Sequence, residues 1–257
     1  MTPSSAWLRD IARDLKIAMG FCTRLPIGRE PRTQGTDIAQ AAWALPIAGA
    51  LIGSIGALTY ALAHSVGLPP LAAAALTLAA TMLATGCLHE DGLADTADGF
   101  GGGASRERKL EIMRDSRIGT YGSCILILSV LARAAAVASL ANPMLVMPAL
   151  IAAHAAGRAT MPIVMWLAPS ARTDGLSAGA GRVSGRSAAI AGAIGVTTVA
   201  FALGATAGVI VALLLLLAIG GVVRLSTQQI GGQTGDVLGA VEQVGEIIVL
   251  LTAAARH

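Results

Sequence analysis

Three aspartates carry the first chemical signal in this chain. Asp91, Asp95 and Asp98 are spaced i, i+4, i+7, which on a helix sets their carboxylates along one face. Like charges stacked this way repel, so an ordinary surface helix gains nothing from them. A divalent cation held by hard oxygen ligands removes the penalty. The three belong to a run of seven acidic residues from Glu90 to Asp115, within a stretch from Gly86 to Gly122 that also holds Arg106, Arg108, Lys109, Arg114 and Arg117. Guanidinium and ammonium groups are natural holders of phosphate oxygens. Carboxylates for a metal, followed by cations for phosphates, predict phosphoryl-transfer chemistry.

The aspartate helix is expected to end at Gly99, with Gly101, Gly102 and Gly103 leaving the backbone open to a ligand. A short amphipathic helix should follow. In it Leu110, Ile112 and Met113 face the protein, and Lys109, Arg114 and Arg117 face a ligand. Arg117 is the leading phosphate clamp. Asp115 either orients Arg114 or Arg117 or adds a metal ligand. Asp236 opens the last apolar run, where it can cap a helix and also reach the metal. Glu242 and Glu246, His154 and Arg158, and Arg133 lie inside apolar runs, and ionisable groups there face the bundle interior. Arg133 and Arg158 either line a basic pocket for an anionic ligand or pair with Glu242 and Glu246.

These residues must be positioned by membrane helices. Hydrophobic residues make up 54% of the chain and charged residues only 13%, about half the charge of a soluble domain. Mean hydropathy is +0.70. Seven apolar runs approach the roughly 20 residues that a crossing needs: 41–63, 71–88, 121–140, 144–167, 187–204, 206–223 and 237–255. A soluble bundle is a poor alternative, because the leucines of 209–217 offer water no polar face. The expected fold is all-α, a single polytopic domain over 1–257 with about seven transmembrane helices. Gly49 with Gly53, and Gly204 with Gly208, have the small-xxx-small spacing that lets membrane helices approach closely.

Lys and Arg cluster before residue 41, between 88 and 121, between 167 and 187, and at Arg224, whereas the alternate turns carry no formal charge. The positive-inside rule then puts the N-terminus and every charged loop, including a catalytic loop at 89–120, in the cytoplasm. No cleavable signal peptide is recognised. Residues 1–40 form an amphipathic segment with Trp7, Leu8, Ile11, Leu15, Ala18 and Met19 on one face. It either lies on the membrane surface or packs against the loops. Cys22, Cys87 and Cys124 lack metal-ligand spacing and are expected to be reduced and packed. The pI of about 9.1 suits acidic lipid headgroups or anionic substrates. Aromatic residues are too few for nucleic-acid stacking. A homo-oligomer is compatible with the sequence.

Four segments together resemble the cobalamin synthase family, the adenosylcobinamide-GDP ribazoletransferases. They are FCTRLP at 21–26, LHEDGLADTADG at 88–99, LEIMRDSRIGTYG at 110–122 and GGQTGDVLGAVEQVGE at 231–246. They occur in the family's order across nearly the whole chain. The resemblance implies a bacterial multi-pass inner-membrane enzyme that needs Mg²⁺. Its substrates would be adenosylcobinamide-GDP and α-ribazole or α-ribazole 5′-phosphate. Its products would be adenosylcobalamin or its 5′-phosphate, and GMP. On that reading Asp91, Asp95 and Asp98, with Asp236, hold metal against the diphosphate, and Lys109, Arg114, Arg117, Arg24 and Arg158 bind substrate. Asp98 or Asp115 takes the proton of the attacking ribose hydroxyl. Glu90 is given no role.

Two rivals share some of these features. CDP-alcohol phosphotransferases also carry membrane-adjacent aspartates, but with an Ala-Arg pair and a longer gap that this chain lacks. A transporter would concentrate its polar groups at mid-membrane, whereas the densest cluster here lies in a loop. The topology has a direct check. A reporter active only outside the cytoplasm, fused at Asn142, should give signal; cytoplasmic activity at that position would overturn the assignment.

Overall fold

The computed structural model describes residues 3–27, 35–173 and 179–257. Among these the chain is helical, with no strand beyond an isolated bridge between Ser170 and Gln233. In chain order the helices are α1 (Pro3–Cys22), α2 (Gly35–Ala41), a 3-10 turn (Ala42–Ala44), α3 (Leu45–Ser65), α4 (Pro70–Thr85), α5 (Leu88–Gly102), α6 (Arg106–Ile112), α7 (Thr120–Leu140), α8 (Pro143–Leu167), α9 (Gly185–Leu203), α10 (Ala205–Ile230) and α11 (Gly235–Ala254).

Among the described residues, six helical stretches are long and apolar enough to cross a bilayer: Asp37–Ser65, which runs from α2 into α3, and α7 to α11. The seventh expected run is α4. Its 16 residues reach only about 24 Å at 1.5 Å per residue. At its end the chain turns by 90° into α5. The turn is made by two successive left-handed residues, Gly86 (φ 69°) and Cys87 (φ 59°). Glycine suits the first of them because its φ of 69° is strained for a residue with a Cβ, and the Arg24 side chain packs against it. The bent pair is therefore not one straight span, and α5 packs instead against α7 and α11.

The bundle is built around α8, which packs against α3, α9 and α11. Close approach to α3 depends on Gly49 and Gly53, as their spacing predicts. A Cβ on Gly49 would lie 2.1 Å from His154 O, and one on Gly53 2.6 Å from Ile151 Cα. The outer helices turn apolar side chains outward; Leu213, Leu216 and Leu217 of α10 are exposed, the last at 72%. Such a surface suits lipid rather than water. In α1 the C-terminal half packs, with Ile17, Ala18 and Cys22 buried, while Trp7 and Leu8 remain exposed. Asp14 accepts a 2.8 Å hydrogen bond from Trp43 Nε1 and pins the helix to the bundle. Cys22 is the packed thiol; Cys87, in the turn before α5, and Cys124, on α7, are exposed, contrary to expectation.

The charge-bearing connections meet at one end of the bundle. Arg24 N–H donates to Ala84 O at 2.8 Å. Gln233 N–H donates to Pro169 O and Ala171 N–H to Gln233 O, each at 2.8 Å. Arg106 ties α6 to this end through Ile230 O at 2.7 Å and Ala171 O at 2.9 Å. Leu140, Met144, Leu203 and Ala253 gather at the opposite end. The glycines after Asp98 do not end α5, which runs on to Gly102. Gly99 serves instead as a close contact with α6, since a Cβ there would lie 2.4 Å from Met113 Cγ.

A buried ionic lattice joins α5 to the spans. Arg133 and Arg158 are each only 1% exposed. Arg133 Nη1 lies 3.1 Å from Glu90 Oε1 and 3.2 Å from Glu246 Oε2. Arg158 Nη1 lies 2.6 Å from Glu242 Oε1 and 3.0 Å from Glu246 Oε1. His154 contacts Glu246, and Gln243 donates to Glu242 at 3.0 Å. Interhelix pairing is thus the arrangement adopted, rather than a basic pocket. Arg158, expected among the substrate-binding residues, is committed to two carboxylates. Deleting one partner of a buried pair strands a charge and costs about 3–5 kcal/mol. Glu246→Ala should accordingly lower the thermal unfolding midpoint in detergent strongly; an unchanged midpoint would contradict the role given to the lattice.

Candidate active site

The acidic groups come together where α5 crosses the start of α11. The two backbones nearly touch at Gly92 and Gly239; a Cβ on Gly92 would lie 2.8 Å from Asp236 O. This crossing sets Asp91 and Asp95 of α5 beside Asp236 of α11. Asp236 does not cap its helix, as the sequence suggested it could. Thr234 is the N-cap, accepting from Val237 N–H at 3.3 Å and donating to Asp236 Oδ2 at 3.1 Å. A hydroxyl two residues earlier does the capping, so the Asp236 carboxylate is left to face the site.

Asp95 feels the crowding most. Burial pushes its carboxyl up to about 7, and Asp91, Asp236 and Asp98 add like-charge repulsion in the same direction. Arg172 opposes this. It reaches in from the connection after α8, with Nη1 3.4 Å from Asp236 Oδ2 and Nη2 donating to Leu110 O at 3.2 Å. Sequence reasoning did not single out Arg172. It belongs to no motif, and its only signal was a positive charge on the same predicted side as the acids.

The acids do not form a closed cage. Among the described residues only His154, Glu242 and Glu246 bring three possible ligand atoms within 4.8 Å of one another, and Arg158 already lies against both glutamates. The donor set of Asp91, Asp95 and Asp236 is all hard oxygen, carries like charge that Arg172 offsets only in part, and stays open. Mg²⁺ suits such a set, because it usually keeps waters and is held by one or two carboxylates plus substrate phosphates.

The other expected site residues take more varied places. Asp98 is buried, and its carboxylate accepts from Gly119 N–H at 2.6 Å and Gly122 N–H at 2.9 Å. Both of its oxygens are thus occupied in anchoring the start of α7. Asp115 accepts from Arg117, with Nη2 to Oδ2 at 2.6 Å. Those hydrogen bonds hold the Asp115 carboxyl down at about 2, which makes it a weak proton acceptor. Arg117 itself points to solvent, its side chain 86% exposed. Lys109 is engaged by Gln229. Arg24 covers the Gly86 turn.

A groove of about 740 Å³ opens beside α5. Asp91, Asp95 and Glu90 line one side, Arg114 and Asp115 another, and Leu126, Ile127, Val130 and Leu131 of α7 form an apolar wall. The groove therefore offers acids and a guanidinium for a charged group next to a surface for an apolar one. That combination fits a large substrate carrying a phosphate link.

The cobalamin-5-phosphate synthase family model matches residues 14–254. An adenosylcobinamide-GDP ribazoletransferase from Bradyrhizobium diazoefficiens is 56% identical, covering 99% of this chain and 98% of its own length. Enzymes of the same name from Mesorhizobium japonicum and Azorhizobium caulinodans are 51% and 45% identical, covering 96% and 94% of this chain and 94% and 95% of theirs. No solved structure matches the chain. With a family match and identities this high over almost its full length, the chain belongs to the cobalamin-5-phosphate synthase family and is a transferase of cobalamin biosynthesis.

Proposed function

We propose that the protein joins adenosylcobinamide-GDP to α-ribazole, or to α-ribazole 5′-phosphate, giving adenosylcobalamin or its 5′-phosphate and GMP. The observation that carries this reading is the open carboxylate set of Asp91, Asp95 and Asp236, beside a groove with both a guanidinium and an apolar wall. The names of the relatives support the choice of substrates.

The ribose hydroxyl of the acceptor attacks the phosphorus on the corrinoid side of the diphosphate. A new P–O bond forms, the bridging P–O bond breaks, and GMP leaves with the bonding electrons. The hydroxyl proton passes to a carboxylate of the cluster. Asp91, Asp95 and Asp236 would hold Mg²⁺, which when bound neutralises the diphosphate and eases the departure of GMP. Arg114 and Arg172 supply positive charge on either side of the acids. Asp98 holds the α5 to α7 junction in place rather than taking the proton. Asp115 orients Arg117, whose exposed guanidinium can meet the diphosphate as the substrate enters.

The charged end faces the cytoplasm of a bacterial inner membrane on this reading, in keeping with the lysine and arginine bias of its loops. The apolar outer helices then sit in lipid, and Trp7 and Leu8 of α1 dip into the interface.

GMP release by purified protein in detergent, with both substrates and Mg²⁺, tests the reaction. Asp95→Asn should reduce the rate by roughly a hundredfold or more while leaving the thermal unfolding midpoint close to that of the parent. Chelation of Mg²⁺ should abolish release, and added Mg²⁺ should restore it. Near-normal release by Asp95→Asn would sink the metal assignment.

A further inference from the structure

A second, smaller cavity lies on the other flank of α5. Its volume is about 110 Å³, and it is enclosed by α1, α2, α3, α5, α8 and α11. At roughly 10–15 Å³ for each water-sized body, it holds on the order of eight. Phe21, Leu45, Leu88, Met161, Met165 and Leu238 make its walls apolar. Polar groups enter from one side only: His89, Asp91 and Asp236.

Asp91 lines both this cavity and the 740 Å³ groove. The acids thus stand between two spaces of different character. In-line transfer at phosphorus needs the attacking and leaving oxygens on opposite sides. Two substrates approaching the acids from separate flanks of α5 meet that requirement; two substrates sharing the groove would have to pass each other.

His89 adds a specific hydrogen-bonding group. It is 2% exposed. Its Nδ1 lies 3.3 Å from Arg158 Nη2, and a guanidinium only donates, so Nδ1 accepts and the imidazole proton sits on Nε2. That Nε2 has no hydrogen-bond partner among the described residues. A buried donor without an acceptor is costly, and a ligand with a ring nitrogen would satisfy it.

We propose that this cavity binds the aromatic base of the acceptor nucleoside, with the base's unsubstituted ring nitrogen accepting from His89 Nε2–H and the ribose reaching Asp91. The assignment rests on the reaction proposed above. A flat, dimethylated bicyclic base such as that of α-ribazole matches apolar walls with aromatic and thioether groups. A base rich in exocyclic amino and carbonyl groups would leave them unpaired there. The attacking hydroxyl then meets the diphosphate beside Asp91; its proton passes to a carboxylate of the cluster as the new P–O bond forms, the bridging P–O bond breaks and GMP departs into the groove.

The test uses the full-length protein in detergent. Leu238→Phe narrows the cavity without touching the groove. It should raise the KM for α-ribazole by roughly tenfold or more, with the KM for adenosylcobinamide-GDP within about twofold. An unchanged KM for α-ribazole, or a change that falls on the GDP-linked substrate, overturns the assignment. A measurement on the parent protein covers the case in which this variant does not fold. A photoreactive azido-benzimidazole riboside should label Met161 or Met165, and α-ribazole should compete with it. Labelling on the α7 wall, or none, overturns the proposal. Labelling does not require turnover, so a parent protein that is labelled in the cavity yet releases no GMP would refute the reaction while leaving the cavity's ligand class in place.

Discussion

Charge buried in a bundle of apolar helices must be neutralised where it stands, and the rest of this structure depends on how that is done. Arg133 of α7 and Arg158 of α8 are met by Glu242 and Glu246 of α11 and by Glu90 of α5. Three carboxylates face two guanidiniums, so electroneutrality asks for one further proton, which the His154–Glu246 contact can hold. Such a lattice is weak evidence for stability in itself, because desolvation offsets much of the attraction. Its value is directional. Only one placement of α5 brings Glu90 to Arg133 and His89 to Arg158 at the same time. The adjoining residue, Asp91, is thereby fixed at the mouth of both cavities.

The same division runs through the whole site. Groups whose charge is matched position the backbone, and groups whose charge is unmatched are left for a ligand. Asp98 is spent on two N–H donors of α7, Thr234 caps α11, and Arg106 clamps the ends of α8 and α10 through carbonyl oxygens. Asp91, Asp95 and Asp236 crowd together with Arg172 and Arg114 as the nearby positive charges. Holding such groups close together costs stability, and the neutralised surroundings carry that cost before any ligand arrives, which is the physical content of a preorganised site.

Much of this was legible in the sequence. A helix-spaced aspartate trio, an uninterrupted leucine run and charges restricted to alternate loops each have a local signature, because each follows from periodicity or hydropathy alone. The Gly49 and Gly53 contact was equally readable, since small residues at that spacing have few other uses in an apolar span. What escaped depended on non-local geometry. Asp98 shares the face of Asp91 and Asp95 by spacing, yet the α7 N-terminus happens to meet it. Gly99 reads as a helix stop but is a contact point for Met113. Arg172 and His89 gain their roles only when three separate segments converge, and no spacing within one segment records that. Arg117 reads as a phosphate clamp by type, but its partner two residues away, Asp115, holds it outward.

The placement of the groove also gives the membrane a physical role. Its polar side is the acid cluster at the charged end of the bundle, and its apolar side is α7, where Ile127 and Leu131 are each 59% exposed on the lipid-facing surface. On the proposed reading, a substrate in this groove would set its phosphate link among the acids and an apolar edge against the α7 wall. A soluble protein would have to cover that wall, because exposed apolar surface of this kind is costly in water. Lipid covers it here at no such cost and still yields to a bulky ligand. The lattice, for its part, is secure only where water cannot enter to compete for Arg133 and Arg158. One slab of low dielectric therefore serves both ends of the design: it holds the scaffold charges to one another and leaves the substrate groove open from the side.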